Sequence, residues 1–286
     1  MTWSFIQMSD IHIGVKNEIK FQPSWVENFF TAIEQIKQLE IQPDFLIVTG
    51  DMTRDGKSKP NELENVKRIF KTLDWPVYFI PGNHDVGNRY RDDKSNVINQ
   101  NNLDSYRKIM GDDKFLFEHK GIQFVGFNSF LFSSNLEKDE SQQWDWLEEQ
   151  ANNSTQSKLW FMHSIPFIDS PEEVEPKIDT AEWYYTIGKN SAQRLVSILK
   201  KGNVNSLSNG HVHIHTKRNY ENIDFINCPS SAFITEGNNL EGKRFLGFLE
   251  WQIDGETAKQ IPHKLSKISE LEGIGFNPGV PISSLN

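Results

Sequence analysis

Cysteine is all but missing from this 286-residue chain: Cys228 is the one thiol, which excludes an internal disulfide and suits a reducing compartment. It sits in Phe225-Ile226-Asn227-Cys228-Pro229 with no activating neighbour in sequence, so it reads as a small buried apolar residue and not as a nucleophile. Long apolar runs are missing too. None approaches the ~18 residues of a membrane span, and the strand-like segment 3–8 follows Met1 without a basic or cleavable leader. We therefore expect a cytoplasmic protein with no membrane partner. Positive charge is in deficit: 30 Lys and Arg stand against 39 Asp and Glu, net −9, which makes nucleic acid an unlikely ligand for lack of a broad basic surface. Bound cations would reverse the sign locally, so an anionic ligand still suits such a chain.

What the chain has in quantity is apolar bulk: 37% hydrophobic residues, with 8 Trp and 20 Phe, can build a substantial core in one large domain or two smaller ones. Strand-like and helix-like segments alternate, which predicts α/β architecture. Segments 44–49 and 77–80 are continuous apolar runs, as expected of strands covered on both faces. Further strands are expected at 115–118, 122–128, 158–162, 224–227 and 245–253. Helical stripes run from Trp25 to Leu39 after Pro23-Ser24 and from Leu63 to Leu73 after Pro60-Asn61, with other helices near 103–110, 141–151 and 191–200.

No repeat and no interdomain linker is visible. We expect a domain over 1–255 and a tail over 256–286, where Lys, Ser, Gly and Pro dominate and Leu265, Ile268 and Leu271 suggest only a turn or two of helix. Two polar connections exceed the ~12–15 residues beyond which a loop usually has a function: 86–102, with Arg89, Tyr90 and Arg91, and 166–189, with Trp183, Tyr184 and Tyr185.

Five short segments carry the chemistry: Asp10-Ile11-His12, Gly50-Asp51, Gly82-Asn83-His84-Asp85, His163 and Gly210-His211-Val212-His213. Each alone would pass for a cap, a tight turn or a hydrogen-bonded core His. Together they hold five of the eight His, and each follows an apolar strand-like run, the position where α/β sheets gather their ligands. Imidazole nitrogens with carboxylate oxygens suit Mn, Fe or Zn, whereas Ca or Mg would favour an all-oxygen cage.

In order and in flanking glycines these segments resemble the five blocks of the calcineurin-like metallophosphoesterases, D-x-H, G-D, G-N-H-D/E, H and G-H-x-H, over residues 8–254. The resemblance implies a four-layer α/β/β/α sandwich of two mixed sheets, with two metal ions at the strand ends. It implies Asp10, His12, Asp51 and His213 around one ion, and Asp51, Asn83, His163 and His211 around the other. Asp51 is then the bridge, a task suited to a carboxylate because it offers an oxygen to each ion. The implied activity is phosphoester hydrolysis by metal-bound hydroxide, with His84 as donor to the leaving oxygen and Asp85 orienting its imidazole. Arg54, Arg89, Tyr184, Tyr185 and His215 are candidate substrate contacts, the aromatic residues by stacking.

Residues 49–56 and 227–231 are similar to the bacterial cyclic-nucleotide phosphodiesterases, although His163-Ser164-Ile165-Pro166 lacks the second His usual there. Residues 82–88 and the Tyr184-Tyr185 pair are similar to members described as protein phosphatases. Arg54 and Asp55 stand in the opposite order to the G-D-x-V-D-R-G block of the large Ser/Thr phosphatases. Three functions follow as expectations: hydrolysis of a small phosphodiester or phosphomonoester such as a cyclic nucleotide, a Ser/Thr phosphoprotein phosphatase, or a non-catalytic scaffold. The scaffold reading is the weakest, because the ligand blocks are complete. Oligomeric state is not legible.

Overall fold

The computed structural model describes residues 2–16, 18, 21–89, 96–154, 157–178, 180–235, 240–255 and 257–273. The chain begins one sheet with β1 (Trp3–Met8), β2 (Pro43–Thr49) and β3 (Val77–Ile80). It builds a second from β4 (Phe115–His119), β5 (Ile122–Gly126), β6 (Ser157–Phe161), β7 (Ser206–Asn209), β8 (Thr216–Tyr220) and β9 (Ile223–Asn227), then returns to the first with β10 (Gly247–Asp254) and β11 (Thr257–Lys264). Strand orders are β11-β10-β1-β2-β3 and β4-β5-β6-β7-β9-β8. Both sheets are mixed. A parallel centre, β1-β2-β3 in one and β5-β6-β7-β9 in the other, is flanked by antiparallel edge strands.

Helices α1 (Pro23–Lys37) and α2 (Pro60–Phe70) make the crossovers of the first sheet, each with Pro in its first turn, where the missing N–H costs nothing. Their stripes, Phe29, Ile33, Ile36, Leu63, Val66 and Phe70, bury Ile6, Met8, Leu46 and Val48. On the far side α5 (Glu137–Ala151) and α7 (Lys189–Lys201) cover the second sheet, Trp144, Leu147, Leu195 and Leu199 packing on Val125, Trp160 and Leu207. Alternate residues of both sheets meet between them. This completes the α/β/β/α sandwich. Phe5 lies at its centre, stacked on Phe45 at 5.1 Å and Trp251 at 5.4 Å and edge-on to Phe124 at 5.2 Å.

Several elements differ from expectation. Residues 257–264, assigned above to the tail, form edge strand β11 along the whole of β10, and Leu265 is buried without a helical turn. The 255/256 division thus falls inside a hairpin, because β11 alternates exposed polar and half-buried residues and has no apolar run to announce it. Strands β7 and β8 were also not foreseen: Ser-Leu-Ser-Asn is too polar to read as a buried strand, and Thr-Lys-Arg-Asn-Tyr is a charged edge. Residues 274–286, Tyr90 and Arg91 lie outside the described residues. Among those described, no helix is long and apolar enough to cross a membrane.

The inter-sheet aromatic cluster generates the first prediction. Phe5→Ala should destabilise the fold by about 3–5 kcal/mol, the range for a fully buried Phe, whereas Phe30→Ala on the outer face of α1 should cost less than about 1 kcal/mol. Urea unfolding of both variants gives the comparison.

Candidate metal centre

Three parallel strands of one sheet and two of the other end at the same edge of the sandwich. Asp10 follows β1, Asp51 follows β2, and Asn83 and His84 follow β3 in α3 (Asn83–Val86); His163 follows β6, and His211 and His213 follow β7. This is the carboxyl-end position at which open α/β sheets place ligands. The turns there are sharp. Asp10, His12, Asp51, His211 and His213 all have positive φ, between 45° and 70°, a region that Asp and His enter more readily than most residues but still at a cost. Gly50, at φ 86°, admits no side chain, since a Cβ would stand 2.3 Å from His163 Nδ1. A Cβ on Gly210 would meet Ser9 Oγ at 1.8 Å.

The geometry brings the sequence-selected residues into two adjoining groups, Asp10, His12 and His213, and Asp51, His163 and His211, with His84 near His12 and Asp51. His12 Nε2 stands 3.4 Å from His213 Nε2, and His213 Nε2 stands 3.2 Å from Asp10 Oδ1. Two imidazole nitrogens each about 2.0–2.1 Å from one ion would be separated by roughly 3.0–3.4 Å. Asp51 Oδ2 reaches toward three rings, at 3.3 Å from His163, 3.8 Å from His12 and 3.9 Å from His84.

Three of the rings are directed by backbone carbonyls through their other nitrogen. His163 Nδ1 donates to Thr49 O at 2.6 Å and His213 Nδ1 to Phe233 O at 2.8 Å, which turns both Nε2 atoms to the cluster. His211 Nε2 donates to Tyr184 O at 2.9 Å and so presents Nδ1. Such outer hydrogen bonds are what fix metal-binding imidazoles. Asn83 Oδ1, His12 Nδ1 and His163 Nε2 are buried without a hydrogen bond, the last although Asp51 is near. Unsatisfied buried acceptors of this kind demand a partner. The donor set fits divalent cations.

Electrostatics agree. Burial opposes ionisation of Asp51, yet His163 and His84 hold its carboxyl well below the usual range; burial opposes Asp10 likewise, and His213 and His163 outweigh it. For His163 burial is again overcome, Asp51 and Asp10 lifting it to about 9, so a proton is drawn to the place where a cation belongs. Burial lowers His84 and His211 to about 4.

Other candidates fall differently. Asp85 does not orient the neighbouring imidazole: its carboxylate accepts from Thr53 Oγ1 at 2.7 Å, Thr53 N at 3.0 Å, Met52 N at 3.2 Å and Gly82 N at 2.8 Å. It clamps the turn after β2 to the turn after β3. His84 is held instead through Nδ1, 2.7 Å from the Arg54 carbonyl. Arg89 is buried, 4.5 Å over the Trp183 ring, bonded to Trp183 O and paired with Glu175, so it anchors the 166–189 segment. Trp183 is buried with it and offers no stacking face.

Tyr185 packs among Ile165, Val212 and Ile214. His215 leaves the cluster, its Nδ1 donating to Asn227 O at 3.0 Å. His119 and His263, which belong to no motif, pair with Asp44 and Glu250. Arg54 and Tyr184 do line a cleft of about 360 Å³ that opens beside Asn83 and His84. Sequence reasoning passed over the other polar residues there, Lys57, Ser58, Asn88 and Asn96, because no motif spacing marks them.

Metal-dependent hydrolases of phosphoesters are organised in this way, and the chain is one of them. It belongs to the calcineurin-like phosphoesterase family, whose model matches residues 4–215 and whose members use divalent metals. Serine/threonine-protein phosphatase CPPED1 from Pongo abelii is 26% identical over 252 residues, covering 86% of this chain and 74% of the relative. Probable glycerophosphodiester phosphodiesterase GpdQ from Arcobacter nitrofigilis is 28% identical over 213 residues, covering 73% and 71%. Purple acid phosphatase PPD1 from yellow lupin superposes on 95% of this chain with a TM-score of 0.67 at 12% identity, a likeness of fold; this chain spans 53% of that one.

Because the cations bind the folded chain and relieve its buried charges, chelation should lower Tm, and restoring the metal should reverse the loss. Asp51→Asn should lower metal occupancy at both positions, since Asp51 Oδ2 lies 3.8 Å from His12 of one group and 3.3 Å from His163 of the other. Elemental analysis decides: two tightly held ions per chain in this variant would show that Asp51 is not shared.

Proposed function

We propose that the chain hydrolyses a small phosphoester, with Asp10, His12, Asp51 and His213 holding one ion and Asp51, Asn83, His163 and His211 the other. The observation that carries this reading is the cleft beside Asn83 and His84, whose volume of about 360 Å³ suits a leaving group of modest size. Mn, Fe or Zn fits the mixed nitrogen and oxygen donors. When bound, two such ions supply a water acidic enough to attack at neutral pH and neutralise charge on the phosphoryl oxygens.

The chain's own residues do the rest. Asp51 stands between the two groups and keeps both sets of ligands in one register. His84, held through Nδ1 by the Arg54 carbonyl, turns Nε2 toward Asp51 and the cleft, where the ring, once protonated on both nitrogens, can give a proton to the departing oxygen, a charge that burial opposes. Arg54 lies on the same wall as His84 and adds positive charge for an anionic substrate. The lining is mostly polar, with Tyr184 its one aromatic ring among the described residues, which favours a polar leaving group over a stacked base. A cytoplasmic setting is supported by the lone, buried Cys228.

A second reading is a Ser/Thr phosphoprotein phosphatase, favoured by the 26% identity to CPPED1. Metal-loaded protein assayed on cyclic nucleotides, glycerophosphodiesters, phosphomonoesters and phosphopeptides separates the two. Preference for phosphopeptides by kcat/KM would overturn the small-substrate reading. His84→Ala should retain its metals but lose about 10²–10⁴ in kcat on alkyl phosphoesters, the usual contribution of a placed proton donor. The loss should be smaller on nitrophenyl esters, whose leaving oxygen needs no proton. An equal loss on both would remove His84 from leaving-group protonation.

A further inference from the structure

We infer that Tyr184 is a positioning residue for the metal centre: its phenol oxygen holds the Asn83 side chain in place and its carbonyl selects the ring nitrogen that His211 presents. This rests on the ligand assignment above and extends it to a segment that no motif reaches. Asn83 Nδ2 donates to Tyr184 Oη at 2.8 Å, and Asn83 Oδ1 is left buried without a hydrogen bond. An amide can be turned end for end at little steric cost, and the turned amide would present N–H donors to a cation, which repels them. The phenol, which can accept from Nδ2 or donate to Oδ1, fixes the position and plane of that amide, and the cation sets which end faces it. One residue's backbone also accepts from His211 Nε2 at 2.9 Å, with the two rings 4.9 Å apart, so two ligands of the same ion are set from a single position.

Tyr184 is itself held on every side. It lies in α6 (Ala181–Tyr185), whose N-terminus is capped by the Thr180 side chain accepting from Trp183 N at 3.2 Å. The buried Arg89–Trp183 contact holds the body of that helix. Its far end returns to the β6 side, Ile165 N donating to Tyr185 O and Ile187 N to Ile165 O, two residues beyond His163. The segment between His163 and α7 therefore closes on the site that it leaves, and Tyr184 is where it touches the ligands.

Tyr184→Phe removes the phenol oxygen and keeps ring, carbonyl and helix. Titration of Mn²⁺ into the metal-free full-length protein, followed by calorimetry, should show one of two sites weakened about 10- to 100-fold, the usual effect of removing an outer partner of a ligand, and the other unchanged. In the Asn83→Ala background the phenol has no ligand side chain to hold, so adding Tyr184→Phe should weaken binding by less than about threefold, a non-additivity that general loss of packing would not produce. Unchanged affinities in Tyr184→Phe, equal weakening of both sites, or a full effect in the Asn83→Ala background would overturn the assignment. A parent chain that binds fewer than two ions would instead overturn the dinuclear reading on which it rests.

Discussion

Two carboxylates buried where two sheets meet govern the rest of this structure. Asp10 and Asp51 are almost wholly withdrawn from water, and the ionisable groups near them are imidazoles, which give positive charge only by taking up protons. Burying an ionised carboxylate without compensation is among the most costly things a fold can do. Cations at the two histidine groups remove that cost, and the same demand explains the local backbone. Five candidate ligands sit at positive φ, each at a cost of about 1–3 kcal/mol, because only such turns bring side chains from consecutive residues onto one point.

Strain of that kind persists only where the surroundings over-determine it. Here the surroundings reach across the sandwich. Gln7, in the middle of β1, is wholly buried between the sheets: its amide donates to Thr49 Oγ1 and its carbonyl oxygen accepts from Ser208 Oγ and Trp251 Nε1. Just above it, Thr49 O accepts a hydrogen bond from His163 Nδ1, and the Asp10 carboxylate accepts one from the backbone N–H of His211. Every one of these bonds but those to Thr49 Oγ1 and Trp251 joins one sheet to the other. The ligands are thus held by the inter-sheet layer and not by their loops alone.

Four of the five ligand blocks were legible because they combine rare residue types with an apolar run before each one, and the fifth, after the polar Ser206–Asn209 strand, by its residue types alone. Partners of those ligands were not legible, because hydrogen bonding to a carbonyl leaves no trace in residue type. Asp85 shows the difference: adjacency to His84 suggested a carboxylate–imidazole pair, but a carboxylate at the third position of a one-turn helix meets the exposed N–H groups of two turns first. Arg89 misled for a related reason. A cation in a long polar loop reads as substrate-facing, whereas this one lies flat on Trp183 and holds the loop down. Gln7, in an otherwise apolar strand, carried a signal that composition offered and pattern reading discarded, since a lone buried amide needs partners on both of its ends.

Selectivity must come from outside the ligand cluster, because any phosphoryl group presents similar oxygens to a pair of ions. Two walls of the cleft are built by different means. The Arg54–Ser58 wall is tied to the centre through Asp85 and to α2 through Glu62, whose carboxylate accepts from Asp55 N at 2.6 Å. The opposite wall is Tyr184, which touches a ligand directly. A substrate pressing on the first wall works against a clamp buried in the protein, whereas one pressing on the second works against the orientation of Asn83. Substitutions in 166–189 should accordingly change metal retention and substrate choice together, while changes at the exposed Ser58 act on substrate choice alone.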